Sequence, residues 1–272
     1  MAKLKLFHSN IMELPNITNK QQQLPILLTK FRFLHSAHFQ SLLKQKDKRR
    51  INKWLKDLTE KKYLVRISST LPEEDNRSAV YRMGLNGIRF LKTQKRYSTR
   101  LIKNLYRENE RSQTFINQCL LLADIYLTLR DKISTDVEYT AIVANDIINN
   151  PSLEFLAELN PQLYFIKQEG DQQKNYYLLE LFEPTLPNYS VKKRIKKYIE
   201  FFWSNEWENN VDDPFPIILL VCPSKSKLQS AKRATKKLFE EEQDPEGLRI
   251  RFTTLDEIKK QGVIGEIWEE VV

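Results

Sequence analysis

Residues 160–184 read NPQLYFIKQEGDQQKNYYLLELFEP. Two short apolar runs, QLYFIK and NYYLLELF, flank a polar segment around Gly170 and Asp171, the pattern of two strands joined by a turn. A single acid, Glu180, stands late in the second run, and Gln162 opens the first. Working outward, VEYTAIVA (137–144) alternates like a half-buried strand, and FPIILLVC (215–222) is apolar throughout, like a strand covered on both faces. LRIRFTTL (248–255) reads as a last strand and DEIKKQG (256–262) as a short closing helix. Between the strands lie two amphipathic helices. SVKKRIKKYIEFFW sets Val191, Ile195, Tyr198 and Phe202 on one side and Lys192, Lys193, Arg194, Lys196 and Lys197 on the other. SKSKLQSAKRATKKLFEEE begins at Ser224 or Ser226. Helices crossing between consecutive buried strands imply a mixed α/β sheet. DIINNPSLEFLAELN (146–160) has no clear period.

The other half has a different character. From Asn19 the chain reads NKQQQLPILLTKFRFLHSAHFQSLLKQKDKRRINKWLKDLTEKKYLVRI. Leu24, Leu27, Leu28 and Phe31 recur at helical spacing, with Pro25 in the first turn, where proline is tolerated. A second helix begins at Ser36 as N-cap and buries Phe39, Leu42 and Leu43. A third starts near Asp47, whose carboxylate suits the positive end of the helix dipole. Ile51, Leu55 and Leu58 form its inner face, with Trp54 at the margin. Its outer face is Lys48, Arg49, Asn52, Lys53 and Lys56, with Arg50 at the edge. Then come a strand (KKYLVRIS), a polar loop (STLPEEDNRSA), a second strand (VYRMGL) and a helical NGIRFLK. Three helices followed by a two-stranded hairpin is the order of a winged helix-turn-helix, whose third helix enters the major groove while the hairpin touches the backbone. Arg49 and Asn52 are suited to base edges. Lys53 and Lys56 are suited to phosphate, and Arg66, Arg77 and Arg82 are candidates on the wing. Residues 97–132 read as one long helix, basic first and apolar later.

Charge separates the halves. Residues 1–112 hold 25 Lys+Arg against 9 Asp+Glu, a net of +16; residues 113–272 hold 19 against 26, a net of −7. A domain-sized basic excess points to a polyanion. The organisation expected is a DNA-binding domain over 19–97, a helical connector over 98–112 and an α/β domain over 113–272. The 272 residues suffice for this. Cys119 and Cys222 have no neighbours at metal-ligand spacing and read as buried hydrophobes. His8, His35 and His38 read as polar surface or capping residues rather than metal ligands. The acidic run at 72–75 reads as a solvated loop tip. No segment has the ~20 apolar residues a membrane span needs, and MAKLKLFHSN lacks the features of a signal peptide. The expectation is a cytoplasmic, DNA-associated protein with no membrane partner.

Several stretches resemble the replication-relaxation family of plasmid and mobile-element proteins. They are FRFLHSAHFQSLL before the basic helix, LKDLTEKKYLVR at its end, the wing return VYRMGLNGIRFL, and, further on, YYLLELFEPT, KRIKKYIEFF, FPIILLVCPS and FTTLDEI. The resemblance spans most of residues 20–258. It implies a winged helix joined to a domain of the restriction-endonuclease fold, and DNA handling in plasmid replication or mobilisation. An active nuclease of that fold needs an acid by one strand, then an acid and a lysine two apart on the next, holding a divalent metal such as magnesium. By that pattern Gln162 stands at the first acid, Glu180 at the second and Phe182 at the lysine. Glu183, Asp124 or Glu138 would have to supply carboxylate, and Lys193 or Lys196 the amine.

The function expected is therefore binding of double-stranded DNA without catalysis or cofactor. The second domain would serve for homodimerisation or for contact with replication or mobilisation proteins, and Glu180 would pair with a nearby lysine. Two alternatives stand beside it: a magnesium-dependent endonuclease with migrated ligands, and a winged-helix transcriptional repressor.

Overall fold

The computed structural model describes residues 13–67, 79–132, 137–170, 174–242 and 245–271. The first helix, α1 (Asn19–Phe31), is opened by a capping box. The Thr18 hydroxyl accepts from the Gln21 amide, and the Gln21 side chain accepts from the Thr18 amide at 3.0 Å. This polar start sets the helix more than a turn earlier than its leucines suggest, so Pro25 lies in the helix interior rather than in the first turn. Its ring is buried, which offsets the lost main-chain hydrogen bond. Arg32 ends the helix at φ 67 and turns the chain into β1 (Phe33–His35). Helix α2 (Ser36–Leu42) follows directly, capped by His35 rather than Ser36. Next come α3 (Lys48–Glu60), β2 (Leu64–Ile67), β3 (Val80–Met83) and α4 (Leu85–Thr93).

The three strands form an antiparallel sheet of order β1-β3-β2. Strand β1 was hidden in the sequence, because three residues between two helices give no alternation to detect. One face of this sheet and helices α1 to α4 enclose Leu24, Leu28, Phe39, Ile51, Leu55, Tyr81, Met83 and Ile88.

The long helix expected over 97–132 is broken. It consists of α5 (Thr99–Tyr106), a 3-10 turn at Glu108–Glu110 and α6 (Gln113–Asp131). Ser98 and Ser112 are N-caps, their hydroxyls accepting from Leu101 and Phe115 amides at 3.2 Å each. A serine that can cap competes with helix continuation. Helix α6 covers the second face of the small sheet, packing Phe115, Ile116, Cys119 and Leu120 against Phe33, Ile67 and Val80. Ala123, Ile125 and Leu129 of the same helix belong to a cluster that runs on to Leu163, Leu179 and Leu219.

Those last residues lie in a six-stranded mixed sheet of order β4-β5-β6-β7-β8-β9. Its strands are β4 (Val137–Val143), β5 (Leu163–Glu169), β6 (Asn175–Leu181), β7 (Ile217–Cys222), β8 (Ile250–Thr254) and β9 (Glu269–Glu270). Strands β4 to β6 are antiparallel, β6 to β8 parallel, and β9 antiparallel to β8. The 146–160 segment forms the end of α7 (Ala144–Ile148) and a 3-10 helix at Pro151–Leu156. Helices α8 (Asn188–Trp203) and α9 (Lys225–Glu241, capped by Ser224) cover one face. There Ile195, Tyr198, Leu228 and Leu238 meet Leu178, Leu220 and Phe252. The chain closes with α10 (Leu255–Gln261) and β9. No helix among the described residues is long and apolar enough to cross a membrane. The molecule is thus a mixed α+β structure with one small antiparallel and one six-stranded mixed sheet.

Candidate nucleic-acid interface

Helix α3 divides its residues sharply. Ile51, Leu55 and Leu58 are fully buried, and Trp54 is half-buried at the margin. Lys48, Arg49, Arg50, Asn52, Lys53 and Lys56 are all exposed. The Asp47 carboxylate caps the helix, accepting from the Arg49 amide at 2.8 Å. The other acid of its middle turns, Asp57, is turned back toward α1. It accepts from Gln21 Nε2 at 2.6 Å and pairs with Lys61 at 3.0 Å. Burial works against that charge, but the hydrogen bonds from Lys61 and Gln21 outweigh it and hold the carboxyl below its usual range. On the outer face, among the described residues, only Lys56 has an acid in reach, Glu60 at 3.9 Å. Among the described residues Lys48, Arg49, Arg50 and Lys53 have no ion-pair partner.

The wing candidates separate. Arg66 on β2 is exposed. Arg82 on the central strand is half-buried and donates to the Met83 carbonyl at 3.3 Å. Burial lowers its pKa, and the nearby Glu108 only partly restores it. Its place is thus inward, toward the cover provided by α6. Arg77 and the acidic run at 72–75 lie outside the described residues, as does His8.

Glu108, fully buried, anchors this inward cluster. Its Oε1 lies 2.7 Å from Arg32 Nε and 2.6 Å from Arg32 Nη2, and its Oε2 lies 3.8 Å from Arg111 Nε. The Phe115 ring takes the Arg32 guanidinium at 4.4 Å and that of Arg111 at 4.8 Å. Burial nevertheless raises the Glu108 carboxyl above its usual range, against the pull of Arg32 and Arg111. His38 is buried rather than on the surface, and it does cap: its Nδ1 accepts from the His35 amide at 3.2 Å, leaving Nε2 to donate to Asp124 Oδ1 at 2.8 Å. Cys119 and Cys222 are buried thiols, and burial pushes each up to about 12.

The positions singled out by the nuclease resemblance are built for structure. Gln162 Oε1 accepts from the Leu181 amide at 2.9 Å, and its Nε2 donates to the Leu181 carbonyl at 3.3 Å. The side-chain amide thus acts as one more peptide group at the end of the β5–β6 ladder, a task that needs both a donor and an acceptor. Glu180 is buried, and its partner is an arginine, not a lysine. Oε1 receives Arg194 Nη2, Arg194 Nε at 3.0 Å and the Tyr198 hydroxyl at 2.7 Å. Arg194 therefore leaves the exposed helix face where its neighbours lie. It also donates to the carbonyls of Leu159 at 2.6 Å and Asn160 at 3.2 Å. Burial opposes the Arg194 charge, but Glu180 and Tyr198 outweigh it and keep the guanidinium above its usual range. Burial, reinforced by Glu180, holds the Tyr198 hydroxyl well above its usual range, so it remains a donor.

Phe182 is buried in the core under α8, its amide donating to the Val221 carbonyl at 2.9 Å. Lys193 is exposed, and Lys196 faces Glu242 at 3.5 Å. Asp124 is committed to His38. Glu138 sits opposite Gln168, at the far end of β4 and β5 from the rung joining Leu163 to Leu179. Glu183 follows β6 in the loop before Pro184, beyond the ladder. These residues do not fit a magnesium ion: Gln162 offers a neutral amide, Phe182 a hydrocarbon, and Glu180 a carboxylate beside a guanidinium that repels a second cation. Among the described residues no three His, Cys, Asp or Glu side chains converge as metal ligands.

Sequence reasoning missed Arg194, because it lies in a run of five cations at 192–197 that reads as one solvated face. The only local signal was its i−4 relation to Tyr198, a pair that faces the same side of a helix. Compared with protein-family models, with curated proteins and with solved structures, the chain gives no match.

Proposed function

We propose that this protein binds double-stranded DNA through α3 and does not cut it. Residues 19–97 are read as a winged helix-turn-helix, which the element order α1-β1-α2-α3-β2-β3 and the central position of β3 support. The observation that carries the reading is the outer face of α3, where Lys48, Arg49, Arg50 and Lys53 are exposed without an ion-pair partner among the described residues while the helix's own Asp57 is drawn to the back. Lys and Arg so placed would neutralise phosphates and release counterions, and Arg49 and Asn52 would meet base edges. The engaged state of Gln162, Glu180 and Phe182 supports reading the six-stranded part as a nuclease-like body without catalysis. That body would hold a second copy or a replication or mobilisation protein. A role in plasmid or mobile-element replication, mobilisation or its regulation is supported by the resemblance of the stretches quoted above.

Gel shifts across a salt series test the reading. Four phosphate contacts predict a log–log slope of about −3.6, or roughly a 150-fold loss of affinity between 50 and 200 mM salt. Affinity that ignores salt, or that survives Arg49→Ala with Lys53→Ala, overturns it.

A further inference from the structure

The five cations of α3 leave much of the +16 excess of residues 1–112 unexplained. Seven more cations lie between residues 89 and 107, and no acid occurs anywhere in 79–107. All seven are exposed, and among the described residues none has an ion-pair partner. They are arranged, not scattered. On α5, Arg100 and Lys103 fall on one stripe that Arg107 continues just past its end, at i, i+3, i+7, while Leu101, Ile102 and Leu105 bury the other side. On α4, Arg89 and Lys92 share the stripe opposite Gly87, Ile88 and Leu91. Lys92 Nζ lies 5.1 Å from the Tyr106 ring centroid, linking the two stripes, and Tyr106 is 43% exposed.

Helix α4 is fixed to the turn that follows α3, and α5 packs on α4. The Asn86 amide donates to the Lys62 carbonyl at 2.9 Å, its Nδ2 to the Lys61 carbonyl at 2.8 Å, and the Gly84 amide to the Tyr63 carbonyl at 2.8 Å. The approach is close enough that a Cβ on Gly84 would lie 2.5 Å from the Lys62 oxygen, and one on Gly87 2.4 Å from the Tyr63 oxygen. The first turn of α4 is therefore tied by these contacts to the turn that follows α3. With 13 residues, α3 is about 20 Å long.

We propose that the α4–α5 surface is a second contact for the phosphate backbone of the same duplex, adjoining the site on α3. It rests on the DNA-binding reading above. Its chemistry is charge complementarity: lysines and arginines with no ion-pair partner among the described residues, and an exposed aromatic ring between them. Such contacts add affinity and orientation without reading bases. The two surfaces thus divide the work, with sequence choice on α3 and sequence-independent grip on α4 and α5.

The test uses the full chain. Lys92→Gln, Arg100→Gln and Lys103→Gln together should lower the magnitude of the log–log salt slope by about 2.7, at about 0.9 per contact. The affinity ratio between a selected duplex and a scrambled one should not change. In parallel, the photo-crosslinker p-benzoylphenylalanine replaces Tyr106 in one variant and Lys53 in another. A DNA adduct at Tyr106 together with the reduced slope supports the proposal. An adduct at Lys53 alone with an unchanged slope overturns this inference and leaves the role of α3 standing. No DNA adduct from either position overturns both. A protein–protein adduct at Tyr106 assigns the surface to a second copy and overturns the inference.

Discussion

Removing Arg194 should destabilise this protein more than any change to its exposed cations. Arg194→Ala deletes both donors from Arg194 to Glu180 Oε1 and the contacts to the Leu159 and Asn160 carbonyls. What remains is a carboxylate with a side chain 7% exposed, held only by Tyr198. Breaking a buried pair from one side costs about 3–5 kcal/mol, because the surviving charge is left without compensation. With a urea slope of about 3 kcal/mol/M, the unfolding midpoint should fall by about 1–1.7 M. Replacing both partners by apolar residues of similar shape, Glu180→Leu with Arg194→Met, should cost much less than either single change. The double-mutant cycle then gives a coupling of about 2 kcal/mol or more. Urea denaturation of the four proteins measures it. Additive effects, or an Arg194→Ala cost below about 1 kcal/mol, would refute the structural role. A rise in Tm on adding Mg²⁺ that Glu180→Gln abolishes would refute it too, since it would make Glu180 a metal ligand.

Three further outcomes follow from the same geometry. Gln162→Glu, which writes in the acid that nuclease chemistry asks for, should cost about 1–2 kcal/mol, because it removes the donor to the Leu181 carbonyl and sets two acceptors face to face; unchanged stability in urea would count against it. At pH 8 and below, a disulfide reagent should find neither Cys119 nor Cys222 reactive until the chain unfolds, since burial holds both thiols at about 12. Fast labelling of the native protein would contradict this. Glu270 is held below its usual range by the hydrogen bond from Arg249. Its contribution is therefore present above the unfolded carboxylate pKa of about 4.3 and lost as pH falls through the lower folded value. Both side chains are about half-exposed, so the effect is under about 1 kcal/mol. The protection of amides at the β8–β9 edge, taken relative to the intrinsic exchange rate at each pH, should fall on acidification in the native protein and change less with pH in Arg249→Ala.

The elements with strong periodicity were legible in the sequence. Ile51, Leu55 and Leu58 mark α3, and the unbroken run 217–222 marks the doubly covered β7. Local polar chemistry misled in three places. The capping box of Thr18 and Gln21 moved the start of α1 and left Pro25 inside it. Ser112 and the buried Glu108 broke the helix in the polar stretch between Leu105 and Phe115. Strand β9 is a pair of glutamates, recognisable only once Arg249 and Arg251 are known to lie beside it. At the candidate nuclease positions, composition revealed that Gln162 and Phe182 lack charge. It did not reveal that Glu180 is engaged, because the choice of Arg194 over Lys193 depends on the rotation of α8 against the sheet, a tertiary quantity. The basic face of α3 was read in full, since a solvent-facing stripe needs no partner to define it.

Helix α6 serves both sheets at once, with Phe115, Ile116 and Cys119 covering Phe33 and Val80, and Ala123 and Leu129 facing the large sheet. It is a shared beam. A fragment ending at residue 112 would bare one side of the small sheet to water, and a fragment beginning there would carry an apolar helix face with nothing beneath it. Neither piece should be obtainable as a well-behaved fragment, and the intact chain should melt in a single calorimetric transition. Strain applied at β1 would then be felt along the beam by the large sheet.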